Sequence, residues 1–68
     1  MRQVLIYPGE DGMWVAECPS LPGCISQGIS REDALQNIRE AIELYVEGLT
    51  EDQKPVPVDS FEAIFVAV

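Results

Sequence analysis

Three short apolar-rich segments, separated by turn residues, fill the first part of this chain. They span Val4–Tyr7, Met13–Cys18 and Cys24–Gly28. Pro-Gly pairs stand at positions 8–9 and 22–23, and an Asp-Gly pair stands at 11–12. Short apolar runs bounded by proline and glycine predict β-strands, because these two residues favour turns. Consecutive strands with short links predict an antiparallel meander.

The strongest periodic pattern runs from Ser30 to Leu49 and predicts an amphipathic helix. Its main apolar positions recur every three or four residues, at Leu35, Ile38, Ile42, Tyr45 and Leu49. Ser30 is a favourable N-cap, and Asp33 three residues later completes a shortened capping box. Charged and amide residues fill the opposite side, so the apolar face is expected to pack on the sheet.

The last part of the chain combines a stiff connector with another apolar run. Thr50–Val58 holds Pro55 and Pro57, which favour extended backbone over helix. Phe61–Val68 is nearly continuous in apolar residues and predicts a fourth strand. The element order is then β-β-β-α-β, and a crossover through the helix places strand four parallel to strand three. The sequence predicts an α+β fold in which one helix packs on one face of a four-stranded mixed sheet, of order 3-2-1-4.

Apolar residues occupy both alternations of the predicted strands, which is more than one helix can cover. Trp14 and Ala16 fall on one face of strand two, whereas Met13 and Val15 fall on the other. An antiparallel sheet with one face in water normally alternates more cleanly. We therefore expect a homodimer or a higher homo-oligomer. The expected interface residues are Ile64, Val66 and Val68. The alternative is that the connector folds back over this face.

Composition describes one small acidic domain over residues 1–68. The apolar share of 47% supports a real core, although a chain this short buries little surface and gains from self-association. The net charge of −8 argues against direct binding of nucleic acid or anionic membranes, since both need lysine and arginine. It suits a basic protein partner, or solubility alone. The N-terminus does not resemble a signal peptide and no apolar run could span a bilayer, so a cytoplasmic location is expected.

The residue types present argue against catalysis, a metal site or a cofactor. The chain has two cysteines and no histidine, so these ligands cannot complete a tetrahedral metal shell. Nucleophilic catalysis by Cys18 or Cys24 would lack a histidine base. Both cysteines are expected to pack as free thiols in adjacent strands, although the sequence leaves a disulfide between them open.

Acidic side chains accumulate towards the C-terminal end of the predicted helix. They are Glu43, Glu47, Glu51 and Asp52. The negative end of a helix dipole favours cations, and only Lys54 offsets these acids locally. We interpret the cluster as a candidate binding site for a basic partner. The alternative is a solvated helix face without a partner.

Residues 3 to 49 resemble the HicB antitoxin family. The matching segments are Trp14–Glu17, Cys18–Cys24 with its Leu-Pro-Gly-Cys turn, Ser26–Gly28 and Glu32–Ile42. The resemblance implies a partial ribonuclease H-like fold of three strands, a helix and a strand. It also implies a toxin-neutralising role, with a HicA-type partner that is a small, basic, messenger-RNA-cleaving toxin. Ile29-Ser30 stands where Asp-Thr is usual in the family, and serine still caps the helix.

Two family features bear on what the chain is expected to lack. Ribonuclease H chemistry needs carboxylates that converge on two divalent metals, whereas strand one offers Val4, Leu5 and Ile6. We therefore expect a protein that is not an enzyme.

Many family members carry a DNA-binding domain after this one, and this chain ends at Val68. We expect a single HicB-like domain without a C-terminal DNA-binding domain.

Two functions from different classes are consistent with these patterns. The first is an antitoxin that binds and neutralises a small basic HicA-type toxin. The second is a stand-alone oligomeric scaffold or ligand-sensing module with no toxin partner. A small basic protein that co-purifies with the chain would distinguish the first from the second.

Overall fold

The computed structural model describes residues 1–60 and 62–68. Its strands are β1 (Leu5–Pro8), β2 (Trp14–Glu17) and β3 (Ile25–Gly28), and its helix is α1 (Arg31–Glu51). A 3₁₀ turn, Glu10–Gly12, joins β1 to β2. The strands form an antiparallel sheet in the order β1-β2-β3. The three predicted strands, the meander and the helix are therefore confirmed, and the fold is α+β.

Strand pairing decides which side chains face the helix. Ile6 pairs with Ala16, which pairs with Ser26, and this row lies on the helix side, where Ala16 is buried. The adjacent row, Leu5, Glu17 and Ile25, lies on the opposite face because side chains alternate along a strand. Ile25 there is 59% exposed, so residues 1–60 and 62–68 leave this part of the second face open to solvent.

The loop between β2 and β3 brings a leucine into the core. Leu21 is fully buried. Two backbone hydrogen bonds of 3.0 Å close the loop around it. The Leu21 amide donates to the Cys18 carbonyl, and the Cys24 amide donates to the Leu21 carbonyl. Gly23 has a φ of +80°, a conformation that side chains disfavour. The fully or nearly fully buried side chains of the whole core are Ala16, Cys18, Leu21, Cys24, Ala34 and Ile38.

Helix α1 begins as the sequence predicts. The Asp33 amide donates to Ser30 Oγ at 3.0 Å, and Asp33 Oδ2 accepts from the Ile29 amide at 3.1 Å. The first bond is the N-cap bond of the predicted capping box, whereas Asp33 accepts from the amide of Ile29, one residue before the N-cap, and not from the Ser30 amide. The helix ends two residues later than predicted, at Glu51. Gln53 then adopts a φ of +57°, which turns the chain out of the helix.

The prediction of a four-stranded mixed sheet is wrong. Residues 62–68 form no strand, and the predicted first residue of that strand, Phe61, lies outside the described residues. The sheet has three strands, all antiparallel. An apolar run indicates only that a segment is suited to burial. A strand also needs hydrogen bonds to a neighbouring strand, and the apolar run does not specify which strand that is.

The connector after α1 is fixed near the chain's N-terminus. Asp59 Oδ2 accepts from the Gln3 amide at 3.0 Å, and Asp59 Oδ1 accepts from Ser20 Oγ at 2.9 Å. The Arg2 guanidinium donates to Ser20 Oγ at 3.0 Å and to the Pro57 carbonyl at 2.6 Å. From this anchor the tail, residues 62–68, runs with every residue exposed.

Candidate interaction surface

Two polar contacts hold α1 in one orientation on the sheet. Asn37 Nδ2 donates to the Gln27 carbonyl at 2.8 Å, and the Tyr45 hydroxyl donates to the Pro22 carbonyl at 2.8 Å. The first joins α1 to β3 and the second joins it to the β2–β3 loop. With the apolar stripe turned to the sheet, the opposite side of α1 faces solvent.

An acidic face runs along the exposed side of α1. It consists of Glu40, Glu43, Glu47 and Glu51, all exposed. Their spacing of three, four and four residues places them on one side of the helix. Glu40 was not among the residues singled out from the sequence, although its position three residues before Glu43 could have indicated it.

Asp52 does not share the acidic face. It is the C-cap of α1, and its amide donates to the Gly48 carbonyl at 3.1 Å. At 3.6 residues per turn, a position nine residues after Glu43 lies on roughly the opposite side of the helix. Three of the four acids singled out from the sequence, Glu43, Glu47 and Glu51, are therefore brought together, and the fourth is not.

One exposed leucine lies at the edge of the acidic face. Leu44 is 69% exposed, and helix spacing places it beside Glu40, four residues earlier, and Glu47, three residues later. Leu44 was not singled out from the sequence, because it does not follow the spacing of the apolar stripe. Its other two helix neighbours are Ala41 and Gly48, so Leu44 lies at the edge of the acidic face. Apolar area bordered by polar side chains is a common composition for a protein-binding patch.

Basic side chains lie away from most of this face. The last turn of α1, all of whose residues are described, carries no basic residue. Arg31 at the other end of the helix stacks over the Trp14 ring, with 5.3 Å between the guanidinium carbon and the ring centroid. Arg39 is exposed and stands four residues before Glu43. The acidic face is thus most negative from Glu47 to Glu51, at the negative end of the helix dipole.

The apolar tail is a second exposed surface. Ile64 is 86% exposed, Val66 72% and Val68 fully exposed. These are the residues predicted to form an oligomer interface, and their role remains a prediction. Phe65, which was not included in it, is 95% exposed.

The cysteines are placed for packing. Cys18 and Cys24 are both free and buried in the core. Burial raises the pKa of the Cys24 thiol, the charge of Cys18 raises it further, and Arg2 acts in the opposite direction. A raised pKa keeps the unreactive thiol form at neutral pH.

Among residues 1–60 and 62–68, no group of three or more His, Cys, Asp or Glu side chains could hold a metal ion. The helix within this part of the chain is not apolar enough to cross a membrane.

The geometry defines a small α+β domain with an acidic helix face and an exposed apolar tail. Comparison with known sequences identifies its family: the sequence model of the HicB-like antitoxins of bacterial toxin-antitoxin systems matches residues 3–65. The chain belongs to this family.

Three relatives illustrate the match, and all are proteins of the UPF0150 group. One from Thermoplasma acidophilum is 44% identical over 63 residues, covering 93% of this chain and 91% of the relative. One from Synechocystis is 54% identical over 54 residues, covering 79% and 68%. One from Helicobacter pylori is 51% identical over 49 residues, covering 72% and 67%. No solved structure matches the chain significantly.

Proposed function

We propose that this chain neutralises a small, basic, HicA-type toxin that cleaves messenger RNA, and that the acidic face of α1 binds it. The observation that carries the proposal is the alignment of Glu40, Glu43, Glu47 and Glu51 on one exposed side of a rigidly docked helix. Membership of the antitoxin family supports a toxin partner. The net charge of −8 favours a basic one.

The acidic face supplies two different contributions to such binding. Its carboxylates attract a positively charged partner from a distance, which raises the association rate and weakens with added salt. Leu44 supplies apolar area that can be buried in the contact. In this proposal the chain acts in the cytoplasm by covering the toxin, without catalysis, cofactor or metal.

Self-association is the second part of the proposal. The exposed apolar side chains of Ile64, Val66 and Val68 support a homodimer or higher oligomer. The same observation favours the other candidate function, an oligomeric scaffold or ligand-sensing module without a toxin. The two functions differ in whether a toxin binds, so toxin binding is the property to test.

The test is co-expression with a small basic protein encoded beside this gene. Growth that is arrested by the toxin alone is expected to recover when this chain is co-expressed. Glu47→Lys should weaken recovery and lower the affinity of the purified pair. Glu10→Lys makes the same charge change in the turn between β1 and β2 and should leave both unchanged. Absence of any such neighbouring protein, or growth arrest that persists with this chain, would reject the toxin-binding function.

A further inference from the structure

An apolar groove lies between α1 and the start of β1. Its walls are formed by Val4 on one side and by Leu35, Ile38 and Ile42 on the other, and its volume is about 470 Å³. β1 is an edge strand, so no neighbouring strand fills the space beside it. Val4, Leu35 and Ile42 pack against the core yet remain only partly buried. The groove is therefore an extension of the core that residues 1–60 and 62–68 leave unfilled.

The tail is an apolar segment without a site in its own chain. In a fully extended form the tail would place Ile64, Val66 and Val68 on one side and Phe65 on the other. The Asp59 contacts with Gln3 and Ser20 fix the point from which the chain departs. All residues from 62 to 68 remain exposed beyond that point.

We propose that the tail of one copy lies in the groove of a second copy, and that the exchange is reciprocal. Each chain carries one tail and one groove. In a dimer with a two-fold axis, each tail can therefore occupy the groove of the other copy. At about 3.3 Å per residue the seven residues of the tail extend over roughly 23 Å, which exceeds the distance of about 10 Å from Leu35 to Ile42 along the helix. The contact lies between chains, and the sheet within each chain keeps three strands.

Buried area and charge both favour this occupant. At roughly 100 Å² per large apolar side chain, the three side chains on one side of each tail together remove about 600 Å² from water in the two copies, and the groove walls that cover them remove a similar area. The total of about 1,200 Å² reaches the lower end of the range of about 1,200–2,000 Å² that stable interfaces bury. Arg2 and Arg39, two of the four basic residues of the chain, line the groove together with the acidic Glu43, so that the charged residues of the lining are positive on balance. Glu62 at the start of the tail has the complementary charge.

Disulfide trapping between differently tagged chains tests the docking site. The proposal rests on the self-association proposed above, so light scattering on the unmodified protein is measured first. One chain then carries Val66→Cys and the other Leu35→Cys. Mild oxidation is expected to join the tagged and untagged chains. Leu44→Cys replaces Leu35→Cys as the control, because Leu44 lies on the exposed side of α1 and should not be joined.

Variants of the tail provide a second measurement. Because Ile64 and Val66 make no contribution to the core of one chain, Ile64→Asp with Val66→Asp should leave helix content unchanged and convert the assembly to monomer. Ile29→Asp, which changes an equally exposed isoleucine far along the chain, should leave the assembly intact.

The outcomes separate the docking site from self-association. A monomer at high concentration in the unmodified protein would overturn both. An oligomer that forms no disulfide between positions 66 and 35 would overturn the groove and leave self-association standing. The last outcome concerns one chain that carries both Val66→Cys and Leu35→Cys. If it forms a disulfide within itself and none between chains, the tail returns to its own groove, and the proposal is overturned. None of these results depends on toxin binding.

Discussion

The hydroxyl of Tyr45 donates a 2.8 Å hydrogen bond to the carbonyl oxygen of Pro22, across 23 positions in sequence. Pro22 belongs to the loop that brings Leu21 into the core, and Tyr45 lies in the second half of α1. The bond therefore joins the distal half of the helix to the loop between β2 and β3. It positions the helix segment on which Glu43 and Glu47 are displayed.

Removing this hydroxyl should lower stability modestly. Tyr45→Phe keeps the ring that packs against the core and loses only the hydrogen bond. We expect a loss of about 0.5–1.5 kcal/mol in the free energy of unfolding, measured by urea denaturation. Thr50→Ala removes another side-chain hydrogen bond, from Thr50 Oγ1 to the Val46 carbonyl, that lies within the helix and is exposed. That control should change stability less, and an equal effect would argue against a special role for the Tyr45 contact.

Gly28 and Gly48 should respond to alanine in opposite directions. A Cβ at Gly28 would lie 2.5 Å from the Ala34 amide nitrogen and 2.7 Å from the Asp33 carbonyl carbon, so β3 and α1 would have to separate. Gly28→Ala is expected to destabilise the fold by about 1–3 kcal/mol.

Gly48→Ala is the matched control for this prediction. A Cβ at Gly48 meets nothing within 4 Å, and alanine favours the helix. We expect it to stabilise the fold by about 0.5–1 kcal/mol. Thermal unfolding measures the stability of both variants against the original protein. A Gly28→Ala protein as stable as the original would contradict the close packing of β3 on α1.

Loss of the N-cap of α1 should weaken the helix start. Ser30→Ala removes the acceptor for the Asp33 amide. We expect the free energy of unfolding to fall by about 1 kcal/mol. Ser30→Thr keeps a hydroxyl and should retain most of the stability. Amide hydrogen exchange in the first turn measures the effect locally, and unchanged protection at Asp33 in Ser30→Ala would contradict it.

The hydrogen bond between Tyr7 and Glu17 predicts a pH effect. The Tyr7 hydroxyl donates to Glu17 Oε2 at 3.1 Å. This bond raises the pKa of Tyr7, and partial desolvation and the charge of Glu17 raise it further. Because the folded-state pKa is above the unfolded one, the stabilisation is fully present below pH ~10 and is lost as the pH rises through the folded-state pKa.

Titration of phenolate absorbance checks this prediction. Glu17→Gln should lower the pKa of Tyr7 towards its ordinary value, since it removes the negative charge. Tyr7→Phe identifies which part of the absorbance change belongs to Tyr7. A Tyr7 titration that does not move in Glu17→Gln would contradict the assignment of the shift to this pair.

Charge reversal on the acidic face should weaken toxin binding in a salt-dependent manner. Glu43→Lys with Glu47→Lys is expected to lower affinity for the basic partner, and the difference from the original protein should shrink as salt is added. Calorimetric titration at two salt concentrations measures both effects. Unchanged affinity at low salt would reject the acidic face as the binding site.

Local features of the fold could be predicted from the sequence. The N-cap at Ser30, the turn at Gly23 and the helix period each depend on residues a few positions apart. Their physical causes, capping, positive φ and amphipathic spacing, act over that same short range. For the same reason most of the acidic face could be predicted, since Glu43, Glu47 and Glu51 follow the helix repeat.

Contacts between distant residues were decided only by the tertiary structure. The run Ile64–Val68 is as apolar as a buried strand, yet it is exposed beyond the point where Asp59 contacts Gln3 and Ser20. The exposure of Leu44 likewise depends on how Asn37 and Tyr45 orient the helix. The sequence determined which segments are helical, extended or apolar. Which segments pair, and which apolar surface is left free, depends on long-range contacts that local propensity does not encode.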